Sequence, residues 1–116
     1  MPQSIHSEPH PVGGVVAVSG EADATAAPAL EDALRAAFVD ALARDTKRTI
    51  IVDLAEASFI DSRMIGVLVD WVEQLEARGW RMPMVCTDPN MLRVFDMIGL
   101  QATFTFFDSR DAAVDG

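Results

Sequence analysis

The chain has 116 residues, half of them apolar, and its 18 acidic and 9 basic residues give a formal net charge of −9. This length suits one domain with one core. The acidic balance argues against nucleic acid and anionic membrane surfaces as partners, because both would repel the protein on average. The N-terminus lacks a basic region followed by an apolar stretch, and no apolar run approaches the ~20 residues that cross a bilayer, so we expect a cytoplasmic protein without direct membrane insertion.

The N-terminal region differs in composition from the remainder of the predicted single domain 1–116. Residues 1–14 are rich in proline, histidine and glycine, which predicts a short edge strand around Ile5 followed by a turn. The core is expected to span residues 15–116 and to begin with a buried strand over residues 15–18.

An amphipathic helix and a second buried strand follow. Asp23 or Thr25 can cap the helix, and apolar residues then recur at helical spacing at Leu30, Leu34, Ala37, Phe38, Ala41 and Leu42. The run TIIVDL, residues 49–54, is rich in β-branched residues and apolar on both faces, as expected for a central parallel strand.

The second half of the chain continues this alternation. Helical spacing of apolar residues over 64–75 and 91–98, each run followed by glycine, predicts two helices. Short strands are expected at 82–86 and 102–107, with a terminal helix over 108–114. The fold class is therefore α/β, with a mostly parallel mixed sheet of four to five strands covered by about four helices.

Three aspartates occupy positions of interest. Asp23 and Asp61 follow predicted strands, and the carboxyl edge of a parallel sheet collects functional loops, so we expect both to flank one crevice. Asp53 lies within its strand and is expected to point elsewhere.

The segment FIDSRMIG, residues 59–66, contains the best candidate for a modified side chain. Ser62 is predicted to be the N-cap of the following helix, and the same position suits a phosphoryl group, since a helix N-terminus stabilises an anion. Arg63 is unfavourable in a first helical turn, and we consider an ordinary surface charge, a pair with Asp61 or Asp23, or a contact with a partner's carboxylate.

These segments together resemble the STAS domain of bacterial anti-sigma factor antagonists. The most specific elements are Gly-Glu-x-Asp at 20–23, Asp-Leu followed by Phe-Ile-Asp-Ser within 53–62, and Ile-Gly-Leu followed by Phe within 98–106. The likeness extends over nearly the whole chain from residue 3.

The resemblance implies a switch protein without catalytic activity of its own. Its expected partners are a serine-kinase-type anti-sigma factor, which inactivates it by phosphorylation, and a phosphatase that restores binding. The expected phosphoacceptor is Ser62, and the expected partner-binding residues are Asp23, Ser58, Asp61, Ser62, Arg63 and Met64, within a loop running from Ser58 to Met64. No metal and no cofactor are expected.

The sequence departs from the usual antagonist pattern after the aspartate. Two hydroxyl residues and a glycine normally follow it, and the second hydroxyl receives the phosphate, but Arg63 and Met64 stand in the last two positions. The loop resembles that of stressosome-type members, which take phosphate on the residue immediately after the aspartate. Ser62 is therefore the remaining acceptor in this loop. The same resemblance allows assembly as a homodimer or a larger scaffold. The alternatives are a constitutive, non-phosphorylated binder and an accessory subunit of a lipid or ion transport complex.

Enzyme classes find little support in the residues. There is no glycine-rich phosphate loop and no metal-spaced cluster of histidine or cysteine. A phosphoacceptor receiver would use Asp53 together with an acidic pair and a C-terminal lysine, but the single lysine, Lys47, precedes the strand.

Overall fold

A computed structural model of the chain describes residues 3–115, so Met1, Pro2 and Gly116 of the predicted 1–116 domain lie outside the described residues. The strands are β1 (Ser4–His10), β2 (Gly13–Ala22), β3 (Thr49–Ile60), β4 (Met84–Val85) and β5 (Phe106–Phe107). The helices are α1 (Ala27–Ala43), α2 (Ser62–Ala77), α3 (Pro89–Met97) and α4 (Arg110–Asp115), with a short 3₁₀ turn at Ala24–Ala26.

The five strands form one sheet in the order β1-β2-β3-β4-β5. β1 pairs antiparallel with β2, and every other neighbouring pair is parallel, which confirms the predicted mixed, mostly parallel α/β sheet. Parallel strands that follow one another in a single direction, joined by right-handed crossovers, place all the connecting helices on one face. Accordingly α1, α2 and α3 pack into one large apolar cluster with that face.

The opposite face of the sheet is covered at its centre by α4. Ala113 of α4 packs with Val12, Val15, Ile51 and Val85 in a second, smaller cluster. Side chains alternate between the two faces of a strand, so the apolar run of β3 has partners on both sides, and Ile50 and Ile51 are both fully buried. This burial confirms the prediction that TIIVDL is a central strand.

The strands near the N-terminus are longer than predicted. β1 covers seven residues and β2 ten, because the two pair from Ser4 with Ser19 to His10 with Gly13. Pro9 is tolerated since β1 is an edge strand. In contrast, β4 and β5 are only two residues each, shorter than the predicted 82–86 and 102–107. The length of a strand depends on how many of its residues pair with a neighbouring strand, and the apolar content of a segment does not show this.

β3 is also longer than predicted, and it is irregular. Its register against β2 shifts twice, between the partners of Ala17 and Ser19 and again between those of Gly20 and Glu21, so β3 carries two extra residues. After Leu54 the residues facing the large cluster are Ala57 and Ile60, a spacing of three instead of two. Each bulge redirects the side chains that follow it.

Gly13 is required where β2 begins. Its φ is +153°, and a Cβ added there would lie 2.0 Å from the carbonyl oxygen of Thr49, its partner on β3. Gly66, in α2, is the opposite case, because an added Cβ would meet nothing within 4 Å.

We expect Gly13→Ala to lower the free energy of unfolding by roughly 2–4 kcal/mol, because β2 and β3 must separate to accept the methyl group. Gly66→Ala is the matched control and should raise the free energy by up to about 1 kcal/mol, since alanine is the better helix former. Urea denaturation followed by circular dichroism measures both. Equal stabilities of Gly13→Ala and the unchanged chain would contradict the close approach.

Candidate functional site

Three aspartates each precede a helical segment at the carboxyl edge of the sheet. Asp23 precedes the 3₁₀ turn, Asp61 precedes α2 and Asp88 precedes α3. Each side chain accepts a hydrogen bond from the backbone N–H two residues further on, at 3.0, 2.8 and 2.9 Å respectively. All three carboxylates therefore act as N-caps and place negative charge along one edge.

A groove of about 280 Å³ lies between the start of α2 and the start of α3. The residues that line it come from the end of β3, the start of α2 and the first turns of α3: Ser58, Phe59, Ile60, Asp61, Ser62, Asp88, Asn90, Met91 and Val94. Its apolar surface comes from β3 and α3, and its two carboxylates are the caps Asp61 and Asp88.

The predicted site residues separate into three groups. Ser58, Asp61 and Ser62 line the groove together. Asp23 is exposed at the same edge but is not among the residues that line the groove. It directly follows Ala22, whose carbonyl oxygen accepts a hydrogen bond from the Asp61 N–H, so the two aspartates follow paired strand ends. That the two flank one crevice stays a prediction. Arg63 is exposed beside the groove and likewise does not line it.

Met64 does not lie on the surface at all. Its side chain is fully buried in the large apolar cluster, so its prediction as a partner-binding residue is wrong. The third residue of α2 points inward because it begins the apolar stripe that continues with Ile65 and Leu68.

Ser62 is not the N-cap of the helix. The cap is Asp61, whose backbone is extended, and Ser62 is the first residue of α2. The predicted loop from Ser58 to Met64 also contracts to a single residue, since β3 continues to Ile60. Ser62 therefore belongs to α2 and is separated from the end of β3 only by the cap residue Asp61.

The Arg63 side chain forms none of the intramolecular pairs considered from the sequence. Its backbone N–H donates to Asp61, but within residues 3–115 the structure contains no ion pair between its guanidinium and Asp61 or Asp23. This arginine extends to solvent next to Ser62.

An exposed set of apolar residues lies in and beside the groove, and of these only Phe59 falls within the loop predicted as the binding surface. We define the apolar patch as Phe59, Val94, Met97 and Ile98, of which Met97 is 75% exposed. α3 buries only Met91 and Phe95 completely, so its apolar residues exceed what the core accepts. That excess was a signal in the sequence, whereas the exposure of Phe59 follows from the bulges in β3.

The single cysteine lies in the interior of the protein. Cys86 is buried, and this burial raises the pKa of its thiol, which disfavours the reactive thiolate. Across residues 3–115 there is no group of three or more His, Cys, Asp or Glu side chains that could hold a metal ion. In the same range no helix has the length and apolar content needed to cross a membrane.

The match to known families agrees with this architecture. The STAS domain family model matches residues 4–113, and the chain belongs to the STAS domain family. A solved structure described as an anti-sigma factor antagonist from Mycobacterium paratuberculosis is 29% identical, with a TM-score of 0.83 over 98% of this chain and 92% of that one.

Two further solved structures share the fold. The Bacillus cell fate determinant SpoIIAA, in its phosphorylated form, is 24% identical, with a TM-score of 0.70 over 97% of each chain. A sulfate transporter family protein from Wolinella succinogenes is 18% identical, with a TM-score of 0.68 over 87% of this chain and 80% of that one. The confirmed resemblance is thus to STAS domains, including those of anti-sigma factor antagonists.

The capping geometry is testable by paired substitutions. Asp61→Ala should lower the free energy of unfolding by ~1 kcal/mol, because the first turn of α2 loses its acceptor. Ser62→Ala should change it by less than about 0.5 kcal/mol, because Ser62 is an exposed first-turn residue. Denaturant titrations measure both. A larger loss in the free energy of unfolding for Ser62→Ala than for Asp61→Ala would show that Ser62, and not Asp61, caps the helix.

Proposed function

We propose that this protein is an anti-sigma factor antagonist, a protein-binding switch that engages a serine-kinase-type anti-sigma factor and is regulated by phosphorylation of Ser62. The observation that carries the proposal is the placement of Ser62, exposed at the first position of α2 and on the wall of the groove. A phosphatase would return the chain to its binding state. The protein would work in the cytoplasm, as a transcription regulator without enzymatic activity.

The position of Ser62 favours modification. Its side chain is exposed, and among residues 3–115 its hydroxyl has no hydrogen-bond partner. A phosphoryl group at the first position of a helix lies near unpaired backbone N–H groups and the positive end of the helix dipole, which stabilise it. Phosphorylation therefore need not disturb the fold.

The same phosphoryl group would change the groove strongly. It adds about −1.5 to −2 charges at pH 7. The groove already contains the carboxylates of Asp61 and Asp88, so a third anionic group would repel an acidic side chain. An apolar side chain that enters the groove would strip water from the phosphoryl group, and this dehydration costs free energy. This charge provides a physical reason for phosphorylation to weaken binding.

The partner-binding surface that we propose consists of the groove, the apolar patch, Ser58, Asp61, Arg63 and the nearby Asp23. Four of the six large apolar residues that the described chain leaves exposed belong to the patch. Such clusters commonly mark protein interfaces. The surrounding carboxylates and the net charge of −9 favour a partner with basic residues around an apolar centre.

A second candidate is a STAS scaffold or accessory subunit that is not phosphorylated, whether of the stressosome type or in a lipid or ion transport complex. Arg63 favours it, because an exposed arginine stands where antagonists usually carry their acceptor hydroxyl. The shared fold with a sulfate transporter family protein is consistent with it. A homodimer or larger assembly would belong to this candidate.

Phosphorylation and binding are tested with the serine-kinase-type anti-sigma factor encoded by the same host. We expect ATP and this kinase to add one phosphoryl mass to the unchanged chain and to Ser58→Ala, but none to Ser62→Ala. Ser62→Asp should weaken the complex at least tenfold by calorimetry, because its charge enters the groove. Phosphorylation elsewhere, or equal affinities of Ser62→Asp and Ser62→Ala, would contradict the switch and favour the scaffold.

The apolar patch gives a separate expectation for the same complex. Met97→Ser should weaken binding about tenfold or more, since it removes apolar area from the interface. Leu42→Ser is the matched control, because Leu42 is 54% exposed on α1 and lies away from the groove. Equal effects of the two substitutions would exclude the patch from the interface.

A further inference from the structure

A second groove separates α1 from the C-terminal half of α2, and it shares no lining residue with the groove at Ser62. It has a volume of about 410 Å³. Its α1 side includes Arg35, Phe38 and Val39, and its α2 side includes Trp71 and the C-cap residue Arg78. These spacings of three, four and seven residues place each set on one face of its helix.

The floor of this groove is aromatic. The Phe38 ring meets Trp71 edge-on, with 6.2 Å between ring centroids, and it lies 4.8 Å from Trp80. Trp80 is buried behind Phe38, whereas Trp71 and Phe38 are half-buried and line the opening. The Phe38 and Trp71 rings therefore offer apolar contact area to a ligand in this groove.

The walls of this groove supply positive charge. The Arg78 guanidinium lies 5.6 Å from the centroid of Phe38, and no carboxylate of residues 3–115 forms an ion pair with it. Arg35 pairs at 3.2 Å with Glu31, which also lines the groove, so the uncompensated positive charge comes from Arg78. Two of the nine basic residues of an acidic protein thus converge on one aromatic groove.

We propose that this groove binds a small planar aromatic carboxylate, with its ring against Phe38 and Trp71 and its carboxylate on Arg78. A guanidinium recognises a carboxylate with two parallel hydrogen bonds, and its charge is complementary to the ligand. The lining spans only about two helical turns, or roughly 12 Å, which fits a small molecule. This site goes beyond the proposed switch and does not depend on Ser62.

The test uses 2-naphthoate as the probe and the two tryptophan indole N–H signals of the folded chain as the readout. Saturable binding should move the Trp71 signal more than the Trp80 signal. The neutral analogue 2-naphthamide should bind about tenfold more weakly, because it lacks the charge that Arg78 selects.

Substitutions identify the cation. Arg78→Met keeps the aliphatic stem and should weaken 2-naphthoate binding about tenfold while leaving 2-naphthamide binding unchanged. Arg93→Met is the control, since Arg93 is an exposed arginine on α3 and outside this groove. Equal binding of acid and amide, equal affinity of both arginine variants, or no saturable movement of the Trp71 signal would overturn the proposal.

Discussion

The pairing of β3 with β2 is the interaction on which the remaining geometry depends. At one end the two backbones approach so closely that only Gly13 fits opposite Thr49. At the other end β3, with its two bulges, continues to pair with β2 as far as Ile60. The Asp61 N–H then donates to the Ala22 carbonyl oxygen at 3.0 Å. The start of α2, and with it Ser62, is therefore fixed by main-chain hydrogen bonds.

The strand order converts this pairing into functional surfaces. Because the parallel strands progress in one direction, α1, α2 and α3 lie on a single face of the sheet. The two grooves lie on opposite sides of α2. The groove at Ser62 lies between α3 and the first residue of α2, and the aromatic groove lies between α1 and the last turns of α2. One helix thus contributes both to the proposed switch and to the proposed ligand site.

The opposite face is closed by the C-terminal helix through both packing and charge. Arg110 donates to Asp53 on β3 and to Glu8 on β1, each at 2.6 Å. The hydrogen bond to Asp53 raises the pKa of the Arg110 guanidinium, so the cation is favoured further. Asp53 consequently acts as a structural partner on the face away from Ser62, as its position within the strand predicted.

The sequence by itself determined the α/β class, the family, the helices and the candidate Ser62, because apolar periodicity, glycine stops and local motifs are properties of short segments. It also contained the excess of apolar residues on α3. The burial of Met64 also follows from the sequence, because the apolar stripe of α2 begins there. Only the tertiary structure decided that Asp61 is the cap and that Phe59 is exposed. Those outcomes depend on how far β3 pairs with β2 and where its bulges fall, and such long-range pairing leaves no periodic signal in the segment itself.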